Sequence, residues 1–137
     1  MALTAHEKLA LDAARLARVR AHAPYSGKQV GAAVITTAGQ IFAACNVENP
    51  DSALRVCAER NAIAGAIAAG QRDFSAIVVI APDGRFWPPC ELCRGVIREF
   101  VANPRLILAT ADGRLHVADL DELPATPFSR DGAGDAP

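Results

Sequence analysis

The chain has 137 residues, of which 51% are apolar and 21% charged, and a formal net charge of −1. That suits one domain with enough apolar side chains for a real core, and the near-zero charge with scattered basic residues argues against a nucleic-acid surface. No stretch approaches membrane-span length, and Met1 to Lys8 lacks the order of a signal peptide, so a cytoplasmic address is the expectation, with cysteine clusters metal-binding or catalytic rather than disulfide-bonded.

Thr4 caps a first helix, with Glu7 three residues on completing a capping-box pattern. Leu9, Ala13, Leu16 and Ala17 then recur at helical spacing up to about Arg20. Arg15, Arg18 and Arg20 read as its solvated face. Ala23-Pro24-Tyr25-Ser26-Gly27 breaks the helix. Val30 to Thr36 and Gln40 to Cys45 read as two strands of a hairpin around Thr37-Ala38-Gly39. Asn46 to Ser52 is a polar loop, and an Ala-rich second helix runs from about Val56 to Ala69, stopped by Gly70. Phe74 to Ile80 is a continuous apolar run, the pattern of a strand buried on both faces. After Pro88-Pro89 a third helix spans Cys90 to about Val101, prolines being natural openers of a first turn. Leu106 to Thr110 and Leu115 to Val117 are short strands, and Asp119 to Leu123 is one helical turn. This order gives a mixed sheet with helices on its faces. The Gly-, Asp- and Ala-rich stretch 129–137 reads as a disordered tail behind one domain, 1–128.

Three of the four cysteines carry the chemistry. Cys57 opens the second helix within Cys57-Ala58-Glu59, and Cys90 and Cys93 form a C-x-x-C at the start of the third. Residues three apart share a helix face, so Cys90 and Cys93 can hold one ligand. A helix N-terminus carries partial positive charge, which favours the thiolate that zinc requires. If the two helices start side by side, three thiolates grip one tetrahedral zinc and leave a position open, the mark of a catalytic site. A structural site would close with a fourth Cys or His; the remaining cysteine, Cys45, reads as a small buried hydrophobe. Glu59 stands two residues from Cys57, within reach of a water on the metal without binding it. Zinc lowers the pKa of such a water, and a neighbouring carboxylate can act as general acid and base. Cys-Ala-Glu followed by Pro89-Cys90-Glu91-Leu92-Cys93 has the form of a zinc deaminase motif.

The chain resembles the cytidine deaminases of the small, homotetrameric, three-cysteine zinc type. It is also similar to blasticidin-S-type deaminases. The resemblance runs from the first helix to about Phe128 and is carried by Ala23-Pro24-Tyr25-Ser26, Val30-Gly31-Ala32-Ala33, Cys45-Asn46-Val47-Glu48-Asn49, Cys57-Ala58-Glu59-Arg60 and Pro89-Cys90-Glu91-Leu92-Cys93-Arg94. It implies a three-layer α-β-α sandwich around a mixed five-stranded sheet, and a zinc-dependent hydrolase converting cytidine or deoxycytidine to uridine or deoxyuridine and ammonia in pyrimidine salvage. It further implies Zn2+ on Cys57, Cys90 and Cys93, with Glu59 as proton shuttle. Asn46 and Glu48 would bond a ribose hydroxyl, and backbone near Ala58 would hold the base. Arg60 would donate to the zinc thiolates, and Phe128 would reach a neighbouring subunit's site in a homotetramer, or a homodimer. The partners implied are a small nucleoside and water, with no nucleic acid and no membrane.

Six positions depart from the family pattern: Lys28 stands where an aromatic is usual, and Ser52, Pro88, Glu91, Leu92 and Gly95 replace other common residues. None is a metal ligand or the proton shuttle. Several are expected near the base and sugar, so a free base, a modified nucleoside or a blasticidin-like nucleoside is the alternative substrate. His6, His22 and His116 lack ligand spacing and read as surface residues.

Overall fold

The first helix, α1 (Ala5–Arg18), begins where its capping box stands. The Thr4 hydroxyl accepts from the Glu7 N–H at 3.1 Å, and the Glu7 carboxylate accepts from the Thr4 N–H at 2.9 Å. The computed structural model describes residues 2–123; the expected tail 129–137 and Phe128 lie outside them. After α1 come β1 (Gly31–Thr36) and β2 (Ile41–Cys45), joined by a tight turn in which Gly39 takes φ 87°. The second helix, α2 (Ala58–Ala68), is followed by β3 (Phe74–Ile80), and α3 (Glu91–Phe100) by β4 (Arg105–Ala109) and β5 (Leu115–Asp119). Short 3₁₀ turns occupy Ser52–Leu54 and Leu120–Glu122.

The strands form one sheet in the order β2-β1-β3-β4-β5. Only β3 and β4 run parallel, with α3 on the crossover between them; the remaining pairs are antiparallel. Side chains of a strand point alternately to opposite faces, and here each face has its own core. Ala32, Val34, Ile77, Val79, Leu106 and Leu108 pack with Ala62, Ile63 and Ala66 of α2 and Ile97 of α3. Ala33, Ile35, Ala76, Val78, Ile80 and Ile107 pack with Ala10, Leu11 and Ala14 of α1. Helices cover both faces, which is why β3 is apolar without alternation. The expected three-layer α-β-α sandwich is what the chain forms.

A glycine sets the spacing of the outer layer. A Cβ at Gly31 would stand 2.2 Å from the Ala14 carbonyl oxygen, so α1 lies this close to β1 because position 31 has no side chain. The expected solvated role of Arg18 is corrected: its guanidinium donates to the carbonyls of Gln29 at 3.0 Å and Pro82 at 2.8 Å. It ties the end of α1 to the chain entering β1 and leaving β3. Arg15 remains exposed, 3.9 Å from Asp12. Among the described residues no helix is long and apolar enough to cross a membrane.

Register brings three chain segments to one end of the sheet. Gly31, at the start of β1, pairs with Cys45 at the end of β2 and with Ile80 at the end of β3. The Asn46–Glu48 loop and the loop ahead of Cys90 leave from that end.

Candidate active site

Cys57 and Cys90 occupy the N-cap positions of α2 and α3, one residue ahead of each helix, and Cys93 lies in the first turn of α3. Their three sulfurs lie within 4.8 Å of one another. A tetrahedral zinc with Zn–S bonds of about 2.3 Å spaces its sulfurs about 3.8 Å apart, so the three are close enough together to share one ion. The donor set fits the ion chemically as well. Hydrogen bonds from Cys57 and Cys93, and then from the backbone N–H groups of Cys93 and Leu92, hold the Cys90 thiol far below its ordinary range. The Cys93 thiol is pushed far up by its bonds to Cys57 and Cys90, by burial and by the charge of Glu59. Cys57 is also raised, first through its bond to Cys90. Three sulfurs this close oppose one another's negative charge. Only a cation among them stabilises three thiolates together.

Glu59 follows Cys57 by two residues, in the first turn of α2, and is only 6% exposed. Arg60 donates through Nη2 to the Arg55 carbonyl at 3.1 Å and to the Cys57 sulfur at 3.9 Å. Burial works against its charge, but the sulfurs of Cys57 and Cys93 outweigh burial and raise its pKa. Arg94, the last residue of the Pro89–Arg94 segment, is 2% exposed. Its Nε donates to the Pro89 carbonyl at 2.9 Å, and its Nη1 stands 3.8 Å from the Glu91 carboxylate. Arg94 thus braces the bend that delivers Cys90.

A cavity of about 150 Å³ opens beside the sulfurs, a volume that takes a single six-membered ring. Asn46, Glu48, Cys57, Ala58, Glu59 and Cys90 line it together, so the structure gathers most of the residues singled out by sequence. Asn46 and Glu48 also brace the wall. The Asn46 Oδ1 accepts from the Val30 N–H at 2.8 Å, and its Nδ2 donates to the Lys28 carbonyl at 2.9 Å. The Glu48 carboxylate accepts from the N–H groups of Tyr25 and Ser26 at 3.0 and 3.1 Å, and from the Ser26 hydroxyl. Slight burial opposes the Glu48 charge, yet the bonds from Ser26 and Tyr25 hold its carboxyl below the usual range.

Sequence reasoning missed Ser26, Arg55 and Trp87 as cavity residues. The sole tryptophan, three positions before Cys90, was the available signal. Of the six departures from pattern, Lys28 and Pro88 reach the cavity, whereas Ser52, Glu91, Leu92 and Gly95 are exposed. Tyr25 is 53% exposed and does not line the cavity. Cys45 is half-buried rather than buried, and its carbonyl accepts from Asn61 Nδ2 at 2.9 Å.

The family model for the zinc-binding region of cytidine and deoxycytidylate deaminases matches residues 4–110. The cytidine deaminase of Halalkalibacterium halodurans is 37% identical over 120 residues, covering 87% of this chain and 91% of the relative. That of Sporosarcina psychrophila is 42% identical over 126 residues, covering 91% of this chain and 92% of the relative. The crystal structure of the Burkholderia pseudomallei cytidine deaminase superposes with a TM-score of 0.80 at 39% identity, covering 90% of this chain and 99% of that one.

Proposed function

Because the chain belongs to the family of cytidine and deoxycytidylate deaminases built on a zinc-binding region, we infer that it is a zinc-dependent hydrolase that converts cytidine or deoxycytidine to uridine or deoxyuridine and ammonia. The observation that carries this reading is the meeting of three sulfurs at two helix starts, with a buried carboxylate in the same cavity.

Cys57, Cys90 and Cys93 would hold Zn2+. The ion, when bound, polarises a water so that it can attack C4 of the pyrimidine. The Glu59 carboxylate accepts the proton of the attacking water and delivers it to N3. It then takes the proton of the C4 hydroxyl and passes it to the 4-amino nitrogen, which departs as ammonia as the C4 carbonyl forms. Its burial among sulfurs keeps bulk water from competing for those protons. Ala58, in the first turn of α2, lines the cavity; an N–H there has no acceptor within its own helix and can bond the base. Asn46 retains one amide hydrogen and Glu48 its spare lone pairs for a sugar hydroxyl. Arg60 offsets the negative charge left when three thiolates surround a divalent ion, which keeps the ion electrophilic.

Three further readings belong to this proposal. The three sulfurs work only if reduced, which supports a cytoplasmic address. Release of uridine from cytidine supports a place in pyrimidine salvage. Exposed Leu9, Leu16 and Val19 along α1, and Tyr25, Leu54 and Leu92 near the cavity residues, offer apolar surface of the kind that subunits cover, in keeping with a homotetramer that Phe128 helps to complete.

The deciding experiment measures ammonia release from cytidine, deoxycytidine, cytosine and a blasticidin-like nucleoside by the zinc-loaded protein. Turnover of both nucleosides well above the free base is expected. Release from cytosine alone would remove the ribose role of Asn46 and Glu48.

A further inference from the structure

We propose that Trp87 and Lys28 form the wall that grips the pyrimidine ring and set this chain's substrate preference, a reading that rests on the deaminase function above. Among the described residues that line the cavity, Trp87 is the only aromatic one, and it is 7% exposed. It lies between β3 and α3, just ahead of the buried Pro88 and Pro89. Two successive prolines limit backbone freedom, and the Arg94 side chain fixes the second through its carbonyl. The indole is therefore held rigidly relative to the Cys90 sulfur.

From across the cavity the Lys28 ammonium lies 5.5 Å from the centre of the Trp87 ring. Lys28 forms no ion pair among the described residues. Its backbone is pinned on both sides, the N–H to the Ser26 hydroxyl at 3.0 Å and the carbonyl by Asn46 Nδ2 at 2.9 Å. The ammonium thus reaches the cavity from a fixed base. A cation resting on an aromatic face is held weakly enough for a better acceptor to draw it away. A flat apolar ring and mobile N–H donors side by side match a heterocycle with a π-face and a carbonyl acceptor. The 2-oxo pyrimidine has both: the ring packs on the indole and the 2-oxygen takes the ammonium. A ring without that oxygen leaves the ammonium without its acceptor.

Trp87 is the single tryptophan of the chain, so its emission reports on the wall alone. Uridine titrated into the zinc-loaded, full-length protein should change that emission, with a midpoint matching its inhibition of cytidine turnover. Lys28→Met should raise KM for cytidine about tenfold, a loss of about 1.4 kcal/mol, with kcat changed less than about threefold because Glu59 and the metal site are untouched. It should also shrink the preference for cytidine over its 2-thio analogue, whose sulfur accepts poorly, and Lys28→Arg should restore most of both. Trp87→Leu should raise KM, and Trp87→Phe, which keeps an aromatic face, should raise it less. Lys28→Met remains decisive if Trp87→Leu fails to fold. Emission unchanged at uridine concentrations that inhibit turnover, or a Lys28→Met protein with parental KM and parental 2-thio discrimination, would overturn the proposal. A parent protein that releases ammonia from no aminopyrimidine would instead overturn the function beneath it.

Discussion

Glu59 and Glu48 line the same cavity but occupy different environments, and their expected behaviour differs accordingly. Glu59 is buried among sulfurs with a charge that the neighbouring thiols feel. Replacing its carboxylate by the isosteric amide removes the proton carrier and leaves the three sulfurs in place. Glu59→Gln should therefore retain zinc at one ion per chain while kcat falls by roughly 10²–10⁴-fold. Metal analysis beside single-turnover kinetics checks this, and near-normal turnover would dismiss the shuttle role. Glu48 is half-buried, and its charge is held by three donors from Tyr25 and Ser26. Since its carboxyl lies below the ordinary range, the brace is fully present above that range and is lost only as the pH falls through the lowered value. A carboxyl-carbon titration by NMR should place the Glu48 midpoint below that of a glutamate in an unstructured peptide. Ser26→Ala should move it upward, and a midpoint at the peptide value would mean that the brace is not made in solution.

At the scale of elements, what was legible in the sequence was local. The Thr4–Glu7 capping box, the Gly39 turn and the cysteines at two helix starts each need only a few neighbouring residues, and each is found where the pattern put it. The apolar run of β3 was read to its ends because a strand covered on both faces has no polar alternation to confuse it. What stayed illegible depends on register and on distant partners. Arg18 reads as a surface residue until Gln29 and Pro82 are brought to it by β1 and β3. Lys28 reads only as an odd residue in a motif until Trp87 arrives from another loop. Gly31 reads in sequence only as part of a family segment, yet its missing Cβ determines how closely α1 packs. Gly31→Ala would push a methyl group into the Ala14 carbonyl at 2.2 Å and the Arg18 Cβ at 2.9 Å. Backbone must move, because neither contact is the end of a flexible side chain. The expected cost is about 2–3 kcal/mol, read as a lower midpoint in urea with an unchanged slope. Stability equal to the parent would show that α1 is free to lift from the sheet.

For the whole molecule, a zinc ion held by the three sulfurs would also stitch the fold together. The sulfurs sit at the starts of α2 and α3, helices that share one face of the sheet. A ligand that binds only the folded chain stabilises it by mass action, and zinc on the three sulfurs would tie the start of α2 to the start of α3. Without the ion, Cys90, whose pKa is lowered, stands near the Cys57 and Cys93 thiols, whose pKa values are raised. A thiolate beside a thiol is the arrangement that a mild oxidant converts to a disulfide, taking two electrons and one proton from the pair. Chelation should therefore have two linked effects. The thermal midpoint should fall, and the stripped protein treated with a thiol-specific oxidant should lose a pair of titratable thiols that the zinc-loaded protein keeps. Cys45, half-buried and raised above its ordinary range chiefly by burial, should react slowly in both forms, so the difference reports on the cluster. Readdition of zinc before oxidation should restore the midpoint, whereas readdition afterwards should fail until a reductant is supplied. Equal thiol loss in the stripped and loaded proteins would mean that the three sulfurs do not share a metal.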